Sequence, residues 1–170
     1  MESKKIKNNR LGLGRLVGGF TLIEILIVIG IIAILAAIVI VAINPAKQFA
    51  QARNTQRTAN VNAILNAIGQ RMADNKGIFE GTFTLNGDTF TCPTLGSEKD
   101  ITSSAKGSTT NGDLGCLAPV YLPVLPSEPA GPTAKQYTVE LLDSGRVEVC
   151  APQAALEKSI PSPENICVVR

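Results

Sequence analysis

The chain has no histidine and no tryptophan among its 170 residues. Without imidazole, a Ser/His/Asp triad, a Cys/His pair and the usual His-containing zinc sites have no members to draw on. The expectation is a structural protein and not an enzyme. Aromatic residues make up only 4% of the chain, so the stacking residues that mark single-stranded nucleic-acid binding are missing as well. Charge is sparse and uneven. The formal net charge is +2, but Lys4, Lys5, Lys7, Arg10 and Arg15 against Glu2 give residues 1–19 a charge of +4, leaving −2 for the rest. The basic character belongs to the first residues, and no nucleic-acid reading rests on the overall balance.

What the chain does have is one long apolar run. In the 24 residues from Phe20 to Ile43, only Thr21, Glu24 and Gly30 are not apolar. Such a run is long enough to span a membrane, and the Lys and Arg before it place the N-terminus in the cytoplasm and the bulk of the chain outside. The 127 residues from Asn44 to Arg170 suffice for one small domain. A secretory signal peptide has an apolar region of about 7–15 residues, shorter than this one, and it carries no embedded carboxylate. A plain uncleaved anchor accounts for the hydropathy but leaves Glu24 unexplained. An acidic side chain at the centre of a membrane helix costs about 2.5–3.5 kcal/mol, less near the interface, and usually has a partner. No Lys or Arg lies between Phe20 and Ile43. The cation must come from another chain or from a newly made amino terminus.

Gly19-Phe20-Thr21-Leu22-Ile23-Glu24, opening an apolar helix behind a basic leader, resembles the cleavage and methylation motif of type IV prepilins. The resemblance implies that a prepilin peptidase cuts after Gly19 and methylates the new terminal Phe20. It also implies that Glu24 pairs with the terminal ammonium of a neighbouring subunit during filament assembly, neutralising two costly charges together. The implied fold is α+β, with a long N-terminal α-helix, transmembrane in its first half and amphipathic in its second, packed on a small antiparallel β-sheet head. The implied partners are the peptidase/methyltransferase, identical or related subunits, and an assembly ATPase with its platform protein. The implied location is the cytoplasmic membrane, single-pass, and then a pilus or pseudopilus.

The expected organisation is a cationic leader at 1–19, a transmembrane assembly helix at 20–43, an amphipathic continuation at 44–76 and a disulfide-stabilised β-rich head at 77–170. Asn44-Pro45 predicts a kink, because proline lacks an N–H and restricts the residue before it. Beyond it Phe49, Ala52, Val61, Ile64, Leu65, Ile68 and Met72 recur at helical spacing. Lys47, Arg53 and Arg57 read as a solvated or subunit-facing surface and not as a DNA site. Asn75-Lys76-Gly77 supplies a helix stop. In the head, Thr82–Leu85 and Thr89–Thr91 around Asn86-Gly87 predict one hairpin, and Tyr137–Leu141 and Arg146–Val149 around Asp143-Ser144-Gly145 a second. Ile166–Val169 reads as a further strand. Pro93–Gly115 reads as a polar surface loop, and the proline-rich stretch from Leu122 to Pro132 as an extended segment crossing the sheet.

The cysteines, Cys92, Cys116, Cys150 and Cys167, all lie in the part expected outside, where an even count suggests disulfides. Three connectivities are open. Order along the chain favours Cys92–Cys116 and Cys150–Cys167, and the latter resembles the C-terminal disulfide loop of many pilins. The absence of any Cys-x-x-Cys pair argues against zinc. Calcium, which some major pseudopilins hold near the final hairpin, would have only Glu128, Asp143 and loop carbonyls to bind it, so no cofactor is expected. Gly12-Leu-Gly14 precedes no βα unit and fails as a phosphate loop. Three functional readings follow: a type IV pilus subunit, a pseudopilin acting as a piston in type II secretion, and a membrane-anchored binding module that never polymerises.

Overall fold

The computed structural model describes residues 19–170, so the cationic leader and Gly12-Leu-Gly14 lie outside the described residues. The chain divides between Ile43 and Asn44 into two compact units. The first contains helix α1, Leu22–Ile43, whose apolar stretch Leu22–Ile40 is long enough to cross a membrane. Its large side chains find no core. Ile34 and Ile38 are 65% and 64% exposed, and the other large apolar side chains described on it are exposed as well.

The second unit begins with Asn44, whose φ of +48° lies in the left-handed region that asparagine tolerates better than most residues. Its side-chain oxygen accepts from the Lys47 amide at 3.3 Å, and Pro45, with no N–H to satisfy, takes the first helical position of α2, Pro45–Asp74. The helix stops where the sequence indicates. Lys76 and Gly77 both have positive φ, and the Gly77 amide returns to the Met72 carbonyl at 2.7 Å.

Two antiparallel sheets follow. Strands β1, Gly81–Leu85, and β2, Asp88–Cys92, form a hairpin across Asn86-Gly87, both with positive φ as a type I′ turn requires. The larger sheet has the order β3-β4-β5-β6, from Lys99–Asp100, Thr138–Leu141, Val147–Ala151 and Ile166–Val169. Val139 faces Val149, which faces Val168, so one row of branched side chains lines the side toward α2. Val61, Ile64, Leu65 and Ile68 of α2 pack with Val139, Val147 and Val149, together with Phe79, Phe90, Leu114 and Leu117. The architecture is α+β, with a long apolar N-terminal helix and a helix-on-sheet core built on small antiparallel sheets.

Three expectations change. Phe49 and Ala52 are not on the core face: Phe49 is 67% exposed, and the buried positions at the start of α2 are Ala50 and Arg57. Stepping back by sevens from Ile64 gives 57 and 50, so the packed stripe keeps its phase while the apolar residues leave it. Pro93–Gly115 is not a free surface loop. It contributes β3 and a bridge between Thr102 and Asp113, and Leu95, Asp113 and Leu114 are buried. At Gly107 an added Cβ would lie 2.2 Å from the Thr91 carbonyl oxygen, which shows how closely this segment is packed. The proline-rich stretch has no regular structure, as expected, but its hydrogen bonds run to α2 through Ser127 and Glu128.

Candidate functional site

The start of α1 is built by a local hydrogen-bond exchange. Thr21 occupies the N-cap position and Glu24 the third helical position, the spacing of a capping box. The Thr21 hydroxyl accepts from the Glu24 amide at 3.3 Å, while Glu24 Oε2 accepts from the Thr21 amide and hydroxyl, both at 2.8 Å. The carboxylate therefore satisfies an orphan amide at a helix N-terminus, where the backbone dipole favours negative charge. Sequence reasoning passed over Thr21, although Thr-x-x-Glu before an apolar run was there to be read. Oε1 makes no hydrogen bond among the described residues, and Phe20 beside it is 85% exposed. The arrangement can hold a carboxylate at the mouth of a lipid-length helix with one oxygen open to a further donor.

A second charged cluster ties α2 to the head. Arg57 is fully buried and reaches three side chains: Nε donates to Glu128 Oε1 at 2.9 Å, and Nη1 donates to Glu157 Oε1 at 2.7 Å and Asn54 Oδ1 at 2.6 Å. Nη2 also pairs with Glu128. Arg53 grips Glu157 with two parallel bonds, Nε to Oε1 at 2.8 Å and Nη2 to Oε2 at 2.6 Å. Hydrogen bonding by Arg53 is the main cause that lowers the Glu157 pKa to about 2, against burial. For Arg57, burial works against the charge, and the Glu128 and Glu157 carboxylates outweigh it, raising the pKa above its ordinary value. The expectation that Arg53 and Arg57 form an open helix surface is thus corrected. They fasten the proline-rich stretch and the short helical turn Pro152–Leu156 to α2.

The loop carboxylate Asp113 has no salt bridge among the described residues. It is 3% exposed and accepts from the Ser104 amide at 3.0 Å, the Ser108 hydroxyl at 2.7 Å and the Gly115 amide at 3.1 Å, with the Ser104 hydroxyl also on Oδ2. Burial alone would raise its pKa; these donors bring it below the ordinary value. The structure bonds Cys92 to Cys116 and Cys150 to Cys167. Of the calcium candidates, Glu128 is buried on Arg57, whereas Asp143 is exposed in the turn after β4. Glu128 is therefore engaged by a cation of the protein itself.

Residues 15–40 match the family described as the prokaryotic N-terminal methylation motif. No curated protein and no solved structure matches the chain. The matched stretch contains Gly19, Phe20, Thr21, Glu24 and most of α1, and constitutes the type IV prepilin-like signal. It supports a precursor of the type IV pilin or pseudopilin kind, and with it processing by a prepilin peptidase and pilin-type assembly.

Proposed function

We propose that the chain is the structural subunit of a type IV pilus-like filament, cut after Gly19, methylated at Phe20 and polymerised through α1. The observation that carries the reading is Glu24, the one charge in an otherwise apolar α1 whose described side chains are exposed. In lipid the apolar surface is content and the carboxylate is not. Bundling parallel copies replaces lipid with helix and brings the freed amine of a neighbour to the open Glu24 oxygen. The precursor sits in the cytoplasmic membrane with its N-terminus inside and its head outside. Its partners are the prepilin peptidase/methyltransferase, further pilin subunits, and an assembly ATPase with its platform protein.

A pilus is favoured over a secretion pseudopilus by the two disulfides and by the engagement of Glu128 with Arg57, which leaves the calcium-loop reading without its first ligand. The test is the intact mass of protein from sheared surface filaments. A terminus at methylated Phe20 is expected. Glu24→Ala should insert normally and lose most of its sheared filament yield; equal yield would remove Glu24 from assembly. Recovery only in membranes, with loss of an exported enzyme on deletion, would favour the pseudopilin. Recovery only in membranes without such a defect would favour the non-polymerising module.

A further inference from the structure

The two disulfides differ in what surrounds them. Cys92 and Cys116 are 3% and 0% exposed within the core. Cys150 and Cys167 are directly opposed on β5 and β6, and Cys167 is exposed. The same sheet face carries Glu148, two residues before Cys150, and directly across from it on β4 lies Glu140. A Glu148 carboxylate oxygen and the two cysteine sulfurs all lie within 4.8 Å of one another. Like charges directly opposite each other across strands are destabilising. Among the described residues no Lys or Arg lies within salt-bridge reach of Glu140 or Glu148. No salt bridge among the described residues offsets the repulsion of the pair.

We propose that Cys150–Cys167 is the thiol-exchange site of this protein, and that Glu148, reinforced by Glu140, makes it discriminate by the charge of the thiol, admitting cationic and neutral thiols and resisting anionic ones. Exchange begins when a thiolate attacks the exposed Cys167 sulfur. The new S–S bond forms there, the Cys150–Cys167 bond breaks, and its electron pair leaves on the Cys150 sulfur as a thiolate. A second thiolate then attacks the mixed disulfide, releasing Cys167 as thiolate and the small-molecule disulfide. The protein gains two electrons and two protons, and two thiols are oxidised. A carboxylate within 4.8 Å opposes both charged participants, the incoming thiolate and the leaving one. A second negative charge on the incoming thiol adds to the repulsion, whereas an ammonium offsets it.

The test uses the full chain in non-ionic detergent with cysteamine, 2-mercaptoethanol and 3-mercaptopropionate at matched thiolate concentration. Alkylation and peptide mass spectrometry then score each disulfide separately. Cys150–Cys167 should open first, fastest with cysteamine and slowest with 3-mercaptopropionate. In Glu148→Gln the spread between those two thiols should narrow by about fivefold at low salt. It should narrow further in Glu140→Gln/Glu148→Gln, and high salt should shrink it in the wild type. An unchanged spread in Glu148→Gln would overturn the proposal. So would equal acceleration by all three thiols, which would mean a loosened strand, or opening of Cys92–Cys116 at the same rate as Cys150–Cys167.

Discussion

Helix α1 and the unit that follows it treat charge in opposite ways. In α1 a single carboxylate stands among apolar residues, held by Thr21 through one oxygen and by nothing else in the described chain. In the second unit, two guanidiniums of α2 and two carboxylates of the head close on one another across sequence separations of 71 to 104 residues. The Arg53–Arg57–Glu128–Glu157 cluster is completed within its own unit, whereas Glu24 keeps one oxygen without a donor among the described residues. The same contrast holds for apolar surface, which the second unit buries between α2 and the sheet and which α1 exposes at its described positions. A unit closed on itself answers to mutation by losing stability; under the proposed function, one left open answers by losing assembly.

Removing Arg57 should break this contrast most severely. Arg57→Ala leaves Glu128 buried without a cation and Glu157 with Arg53 alone, and stability should fall by about 3–5 kcal/mol. Thermal unfolding in detergent, followed by near-ultraviolet dichroism of the head, measures the loss. Membrane insertion should be unaffected. Truncation of an isoleucine sharpens the comparison directly. Ile64→Ala should cost the head about 2–5 kcal/mol through lost burial and the cavity it leaves. Ile32→Ala, in a helix without a core, should leave the head's unfolding midpoint unchanged.

Acid provides the next test. Glu157 has its pKa depressed from 4.5 to about 2, so its contribution is complete above pH 4.5 and is lost as the pH falls toward 2. The loss, on the order of 3 kcal/mol, should flatten in Arg53→Ala, because Arg53 is the main cause of the shift. Urea titrations from pH 6 to 2 would reveal it. The smallest effect belongs to Thr21→Val, which deletes one side of the capping box and should cost α1 about 1 kcal/mol. Amide exchange over Leu22–Ile25 should then quicken about fivefold, with no change in the head.

Much of the fold could be read locally. Asn86-Gly87 announced its turn because few residue pairs accept two successive positive φ angles, and Asn75-Lys76-Gly77 ended α2 for the same reason. The core stripe was legible from Val61 onward, where apolar character and helical phase agree. It failed at Phe49 and Arg57, where they part: apolarity pointed to Phe49, but phase pointed to Arg57. Asp113 was illegible because a polar loop folds inward only when its donors converge on one buried acceptor, and Ser104, Ser108 and Gly115 do so through backbone turns that no short pattern encodes. At the candidate site, Gly19, Phe20 and Glu24 came directly from the motif, and Thr21 was visible but overlooked.

The sequence by itself determined whatever depends on neighbours within a few residues: the lipid-length helix, its lone carboxylate, the methylation motif, the turns and the strand periodicity. Tertiary structure alone decided which guanidinium meets which carboxylate, where Phe49 and Glu128 end up, and why one disulfide lies in the core and the other at the surface beside Glu148. The reason is the range of the forces. Backbone sterics and hydropathy act along the chain and leave a local trace, whereas ion pairing and burial depend on distances that exist only once residues 70 to 100 positions apart have been brought together.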